Sequence, residues 1–161
     1  MQSVLVMGVA GSGKTTLARS LAARAGLPFI EGDDLHDEPA RAKMAAGIAL
    51  TDADRAPWLD RCAKAVAPGG VLACSALKRA YRDRLRQEGG LHLVFCAITP
   101  EGAQRRLSVR AGHFFPTSLL PTQFAALEPP GPDEGAVIID PALPPEAATL
   151  AAVRALGFFR S

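Results

Sequence analysis

Asparagine is absent from this 161-residue chain, and tryptophan and tyrosine occur once each. Without asparagine there is no Asn-Lys-x-Asp to read a guanine base, and Thr-Lys-x-Asp is missing too, which argues against a guanine-nucleotide switch. The three cysteines, Cys62, Cys74 and Cys96, are odd in number and widely spaced, and two of them sit in apolar runs. They read as small buried residues of a reducing compartment, not as a disulfide framework or a zinc site. No apolar run approaches the roughly 20 residues that a membrane helix needs. No basic side chain precedes Lys14, so the start lacks the charged region of a signal peptide. The expectation is a cytoplasmic protein. With 18 basic and 16 acidic residues the net charge is only +2, which offers no general field for nucleic acid or a membrane surface.

Hydrophobic residues make up 48% of the chain, enough for one domain with a full core over residues 1–161. Apolar strand-like runs recur at Val4–Met7, Leu27–Ile30, Val71–Ser75, Leu91–Ile98 and Ala136–Ile139. Helical patterns lie between or after them, at Thr15–Ala25, Asp54–Val66, Leu77–Gln87, Pro100–Arg110, Leu119–Leu127 and Glu146–Leu156. Such alternation predicts an α/β fold, a parallel sheet covered by helices on both faces. Residues 34–58 and the arginine-rich 104–118 look like excursions from the sheet, a helical segment on the substrate side and a lid.

Gly8-Val9-Ala10-Gly11-Ser12-Gly13-Lys14-Thr15 fills every fixed position of the phosphate-loop pattern G-x-x-x-x-G-K-[ST]. A short apolar strand precedes it and an amphipathic helix follows, so the context fits as well. Glycines let backbone N–H groups turn inward around a polyphosphate, and the new helix points its positive end at the same charge. Gly8, Gly11, Ser12, Gly13, Lys14, Thr15 and Thr16 are therefore the candidate nucleotide-binding residues. Lys14 would reach the terminal phosphates of ATP, and the Thr15 hydroxyl would hold Mg²⁺.

The third strand ends in Ser75-Ala76, without the acid that motor-type ATPases carry there. Acids follow the second strand instead, in Glu31-Gly32-Asp33-Asp34. Asp33 is the candidate to orient or deprotonate an acceptor hydroxyl during in-line transfer, and Glu31, one strand period away, to hold Mg²⁺ through water. The alternative is that these acids only cap the next segment. Arg106 and Arg110, four residues apart, could neutralise charge on a transferred phosphoryl group, or form an ordinary solvated face. Lys78 and Arg82 have the same spacing near the sheet's C-terminal edge, where a cationic pair suits an anionic substrate. His36 and His113 could donate to substrate hydroxyls or be structural. Trp58 reads as a packing anchor, with Pro57 in the first turn of its helix.

The order of Met7–Thr16, Glu31–His36, Lys43–Gly47, Leu50–Leu59, Cys74–Asp83, Gly112–Phe115 and Gln123–Pro129 resembles the small P-loop gluconokinases, which are related to shikimate and adenylate kinases. The resemblance runs from Val4 to Asp140. It implies a three-layer α/β/α fold with a five-stranded parallel sheet in the order 2-3-1-4-5 and a mobile lid. It also implies ATP- and Mg²⁺-dependent phosphorylation of D-gluconate at its 6-hydroxyl, giving 6-phospho-D-gluconate, by a cytoplasmic homodimer. On this reading Asp33, His36, Arg55, Lys78, Arg82 and His113 bind substrate. Lys14, Asp33, Arg106 and Arg110 are catalytic, and Thr15 and Glu31 hold the metal. Two positions depart from the pattern of many members: Asp37 stands after the histidine where proline is common, and Ala40 where asparagine is. A different small hydroxy acid as acceptor, or a nucleotide-binding module without catalysis, are the alternatives.

Overall fold

In the computed structural model, which describes residues 2–109 and 119–157, five parallel strands form one sheet in the order β2-β3-β1-β4-β5. They are β1 (Ser3–Met7), β2 (Phe29–Glu31), β3 (Gly70–Ala73), β4 (His92–Cys96) and β5 (Val137–Ile139). The helices are α1 (Lys14–Ala25), α2 (Glu38–Ala45), α3 (Asp52–Val66), α4 (Arg79–Leu85), α5 (Pro100–Ser108), α6 (Leu120–Ala126) and α7 (Pro145–Leu156). The strand order is the one that the resemblance implies.

Strand side chains alternate between two faces, and each face has its own core. Leu5, Met7, Leu72, Leu93 and Phe95 pack with Trp58, Leu59, Cys62 and Leu85 of α3 and α4. Val4, Val6, Val71, Val94 and Cys96 pack with Leu17, Leu21, Ala148 and Ala152 of α1 and α7. These are the three layers. A third cluster, Val9, Ala10, Leu77, Ala103, Leu107 and Leu120, joins the phosphate loop to α5 and α6. Cys62, Cys74 and Cys96 are buried and free, and burial pushes the Cys96 thiol up to about 12.

Register decides where the site falls. Val6 and Glu31 both pair with Ala73, and Met7 pairs with Phe95, so β1, β2 and β3 end at one level. The chain leaving each of them therefore emerges at the same edge. Gly32, first residue after β2, lies so close to Ala73 O that a Cβ there would stand 2.7 Å from it.

The helical segment read at residues 34–58 holds α2, whose lone buried side chain, Ala40, left no apolar stripe to mark its bounds. Asp37 caps it by accepting from Ala40 N at 3.0 Å, so this departure from the family pattern supplies a helix start. Pro57 is not in the first turn of its helix but inside it. The start is set by Thr51 and Asp54, a reciprocal capping box in which Thr51 Oγ accepts from Asp54 N at 3.0 Å and the Asp54 carboxylate accepts from Thr51 N at 2.9 Å. A second correction is that the helix after β3 begins at Arg79 and not at Leu77.

The cap fixes the entry of α3 beside the cavity described next. Thr51→Ala should cost about 1 kcal/mol of stability, measured by urea denaturation. An unchanged midpoint and slope would mean that the Lys43–Asp54 ion pair at 2.8 Å holds this start without the box.

Candidate active site

Between β1 and α1 the phosphate loop turns through Gly11 at φ +80° and Gly13 at φ +88°. Left-handed backbone favours glycine, and space demands it at Gly11, where a Cβ would lie 2.7 Å from Ala103 O. Gly13 is the N-cap of α1, no acidic residue occupies the helix's first turn, and Lys14 and Thr15 begin it. The loop thus presents a helix N-terminus and a lysine together, which is an anion site. Three loop amides are already committed: Gly8 N donates to Ser75 O at 3.3 Å, Ala10 N to Gln123 Oε1 of α6 at 2.8 Å, and Ser12 N to Val9 O at 3.2 Å.

Two cavities flank the loop. The first, about 460 Å³, is lined by Gly11, Gly13, Lys14 and Thr15, by Asp33 and His36, by Asp52, Arg55 and Trp58 of α3, and by Ser75 and Lys78. Met44, Ile48 and Leu50 give it an apolar wall. The second, about 430 Å³, is lined by Ser12, Gly13, Thr16, Cys96, Arg106 and residues 139–145. Gly13 belongs to both.

The Thr15 hydroxyl donates to Glu31 Oε2 at 2.9 Å. Burial raises the Glu31 carboxyl above its ordinary value, and the nearby Asp33 charge adds to this, while the Thr15 hydrogen bond opposes it. Asp33 sits exposed on the short 3-10 turn Gly32–Leu35, facing the first cavity. Trp58 pins that turn: its indole N–H donates to Gly32 O at 2.7 Å. His36 stacks on Trp58 with ring centroids 4.0 Å apart. Its Nδ1 is buried without a hydrogen-bond partner, and burial lowers the imidazole pKa, so the ring is neutral near pH 7. Trp58 is the packing anchor it was read to be, and it also forms part of the cavity wall.

At the other side of this cavity Arg55 Nη1 donates to Leu50 O at 2.7 Å and to the Tyr81 hydroxyl at 3.3 Å. Its Nε and Nη2 have no protein acceptor among the described residues, which leaves one edge of the guanidinium open. Lys78 Nζ lies 3.4 Å from Asp52 Oδ1. The Tyr81 hydroxyl also donates to Asp52, and that bond, followed by the one from Lys78, holds the Asp52 carboxyl below its usual range.

Arg82 is not part of this wall. Lys78 is the non-helical N-cap of α4 at φ −101°, ψ 146°, so the two residues do not share a helix face. The Arg82 side chain is 0% exposed and all five of its N–H donors are committed. Nε and Nη2 meet Glu134 at 2.8 and 3.0 Å, Nη1 meets Ala76 O and Leu77 O, and Nη2 also meets Glu128 O. No donor is left for a substrate.

Arg106 stands apart from Asp33 as well. It donates to Ser12 O at 3.0 Å and to Pro141 O at 2.7 Å, on the side of the second cavity. Arg110 and His113 lie outside the described residues. Gly8, Ser12 and Thr16 fall in the loop or along the second cavity, and the Ser12 hydroxyl is buried without a partner. Reasoning from sequence missed Asp52, Tyr81 and Gln123. An aspartate at a helix start reads as a capping residue, and a tyrosine between arginines gives no signal of its own.

A family model described as shikimate kinase matches residues 10–114. The gluconokinase of Gluconobacter oxydans is 51% identical over 140 residues, covering 81% of this chain and 78% of that protein. The thermosensitive gluconokinase of Escherichia coli is 43% identical, over 85% of this chain and 77% of its own. Among solved structures, a gluconokinase from Sinorhizobium meliloti 1021 superimposes with a TM-score of 0.90 at 43% identity, over 97% of this chain and 91% of that one. On its phosphate loop, its sheet order and these likenesses, the chain belongs to the gluconokinase family of P-loop kinases.

Proposed function

We propose that this enzyme transfers the γ-phosphoryl group of ATP to the 6-hydroxyl of D-gluconate, giving 6-phospho-D-gluconate and ADP. One observation carries the reading: a single cavity is walled by Lys14 and Thr15, by Asp33, and by Arg55 and Lys78. A phosphate-binding loop, a carboxylate suited to the attacking hydroxyl and two cations suited to a carboxylate thus line one space. The second cavity, across the loop, takes the base and ribose of the nucleotide.

The residues fit a magnesium ion carried in with the phosphates. Among the described residues no group of three or more His, Cys, Asp and Glu converges as an all-protein metal cage. Mg²⁺ bound beside a phosphate needs only one or two protein oxygens and water. The Thr15 hydroxyl and Glu31 carboxylate, 2.9 Å apart, provide them. When bound, the ion neutralises charge on the transferring group.

Most of the catalysis in phosphoryl transfer is positioning and electrostatics. Loop amides and Lys14 hold the phosphates. Asp33 accepts or orients the proton of the attacking hydroxyl. Arg55 has an open guanidinium edge for the acceptor's carboxylate, and Lys78 adds a second cation; Arg82, named beside them from the sequence, drops out of the set. Neutral His36 offers hydrogen bonds without adding charge. Arg106 acts from the nucleotide side, steadying the loop through Ser12 O. Residues 34–58 form the acceptor side of one domain; the lid is assigned to 104–118, of which 110–118 lie outside the described residues. The same reading makes the protein a cytoplasmic homodimer; no described helix is long and apolar enough to cross a membrane.

The test is ADP release with ATP, Mg²⁺ and D-gluconate, beside shikimate and a control without acceptor. Turnover with gluconate alone is expected; turnover with shikimate alone, or with neither acid, overturns the reading. Asp33→Asn should leave ATP binding nearly intact and cut turnover by roughly 10²-fold or more; equal turnover removes Asp33 from the mechanism. Arg55→Ala should raise KM for gluconate far more than KM for ATP, and an unchanged gluconate KM would place the carboxylate elsewhere.

A further inference from the structure

Ala76 is the one non-glycine residue with positive φ among those described, at +47°. It sits in the turn between β3 and α4, and its neighbours face the first cavity: Ser75 on one side, Leu77 and Lys78 on the other. A left-handed alanine is strained and persists only where its surroundings over-determine it. Here they do. Arg82 Nη1 binds the carbonyls of both Ala76 and Leu77, at 2.9 and 3.2 Å. Leu77 O also accepts from Glu128 N at 2.7 Å, and Gly8 N of the phosphate loop donates to Ser75 O at 3.3 Å.

The guanidinium is itself held by Glu134. That carboxylate is 1% exposed and accepts from Arg82 twice, from Gly131 N at 3.0 Å and from Arg86 Nη2. Arg82, with Arg86 and the Gly131 amide, holds its pKa down to about 2, so it stays ionised at any pH of interest. Burying a pair of ions is a weak way to gain stability, because desolvation offsets much of the attraction. A fully satisfied buried network does fix geometry.

We propose that Arg82 and Glu134 are positioning residues for phosphoryl transfer: the buried pair holds Ala76 in its left-handed conformation and so sets Ser75 and Lys78 against the acceptor. Neither side chain touches substrate. The effect on acceptor binding rests on the gluconokinase reading above; the effect on the turn does not.

Glu134→Gln tests this. The expected result is a KM for D-gluconate raised roughly tenfold or more, with KM for ATP changed much less. Adding Ala76→Gly should restore much of the gluconate affinity, because glycine adopts positive φ without help from the clamp. A purely structural pair would lower the melting temperature and leave both KM values alone, and glycine would rescue nothing; that result overturns the proposal. Should Glu134→Gln not fold, Arg82→Lys keeps the buried positive charge but has three N–H donors where five are used, so it cannot hold Glu134 and the turn together, and the same split in KM is expected. Amide exchange at Glu128 and Gly8 reads the turn without any acceptor. It should quicken in the variant and slow again with Ala76→Gly, and unchanged exchange overturns the clamp even if gluconate proves to be the wrong substrate.

Discussion

The sheet is parallel and β1 lies in its middle, and this one constraint places the residues that line both cavities. Parallel strands in register release their chains at a common edge. There the phosphate loop after β1 is flanked by the Asp33 turn after β2 and by the Ser75–Lys78 turn after β3. Open α/β sheets bind ligands at this edge for that reason. On the other side of β1, β4 and β5 lead to Arg106 and to residues 139–145, which form the second cavity. A chain with its strands in another order could carry the same residues and never assemble them.

Charge is distributed according to what each position must do. The cations with open donors, Lys78 and Arg55, line a cavity, while Arg82, with none left, is sealed beneath the turn. Acids are divided in the same way. Asp33 is exposed on the cavity wall, Glu31 is half-buried against Thr15, and Glu134 is locked between arginines. Phosphoryl transfer gathers negative charge, and the cavity answers with two cations besides the loop lysine and a helix N-terminus. Asp52 tempers this field: paired with Lys78 and Tyr81, it keeps that wall of the cavity from becoming uniformly cationic.

Much of the fold was legible because strands and long helices announce themselves by period. Val4–Met7 and the run after Lys14 are visible by eye, and the five apolar runs gave five strands. The β4 run was read too long at Leu91–Ile98, since the half-buried Leu91, Ala97 and Ile98 lie outside the strand His92–Cys96. α2 was legible only as part of a helical segment, without bounds, because it buries little more than Ala40. The site was legible where chemistry is local to the chain, as in the glycine loop with its lysine and threonine. It failed where spacing stood in for geometry. Lys78 and Arg82 looked like one face, yet the helix begins between them, and one points to a cavity while the other enters the core. The partners that decide such cases, Glu134 for Arg82 and Gln123 for Ala10, are distant in sequence and give no local signal.

The division of labour between the two cavities is the central claim, and a crystal structure with D-gluconate and a non-hydrolysable ATP analogue tests it most directly. The account predicts the gluconate carboxylate on Arg55 and Lys78, its 6-hydroxyl beside Asp33, and the base across the loop near Arg106 and Pro141. Gluconate in the second cavity, or with its carboxylate beside Asp33 and its 6-hydroxyl at Arg55, would contradict it.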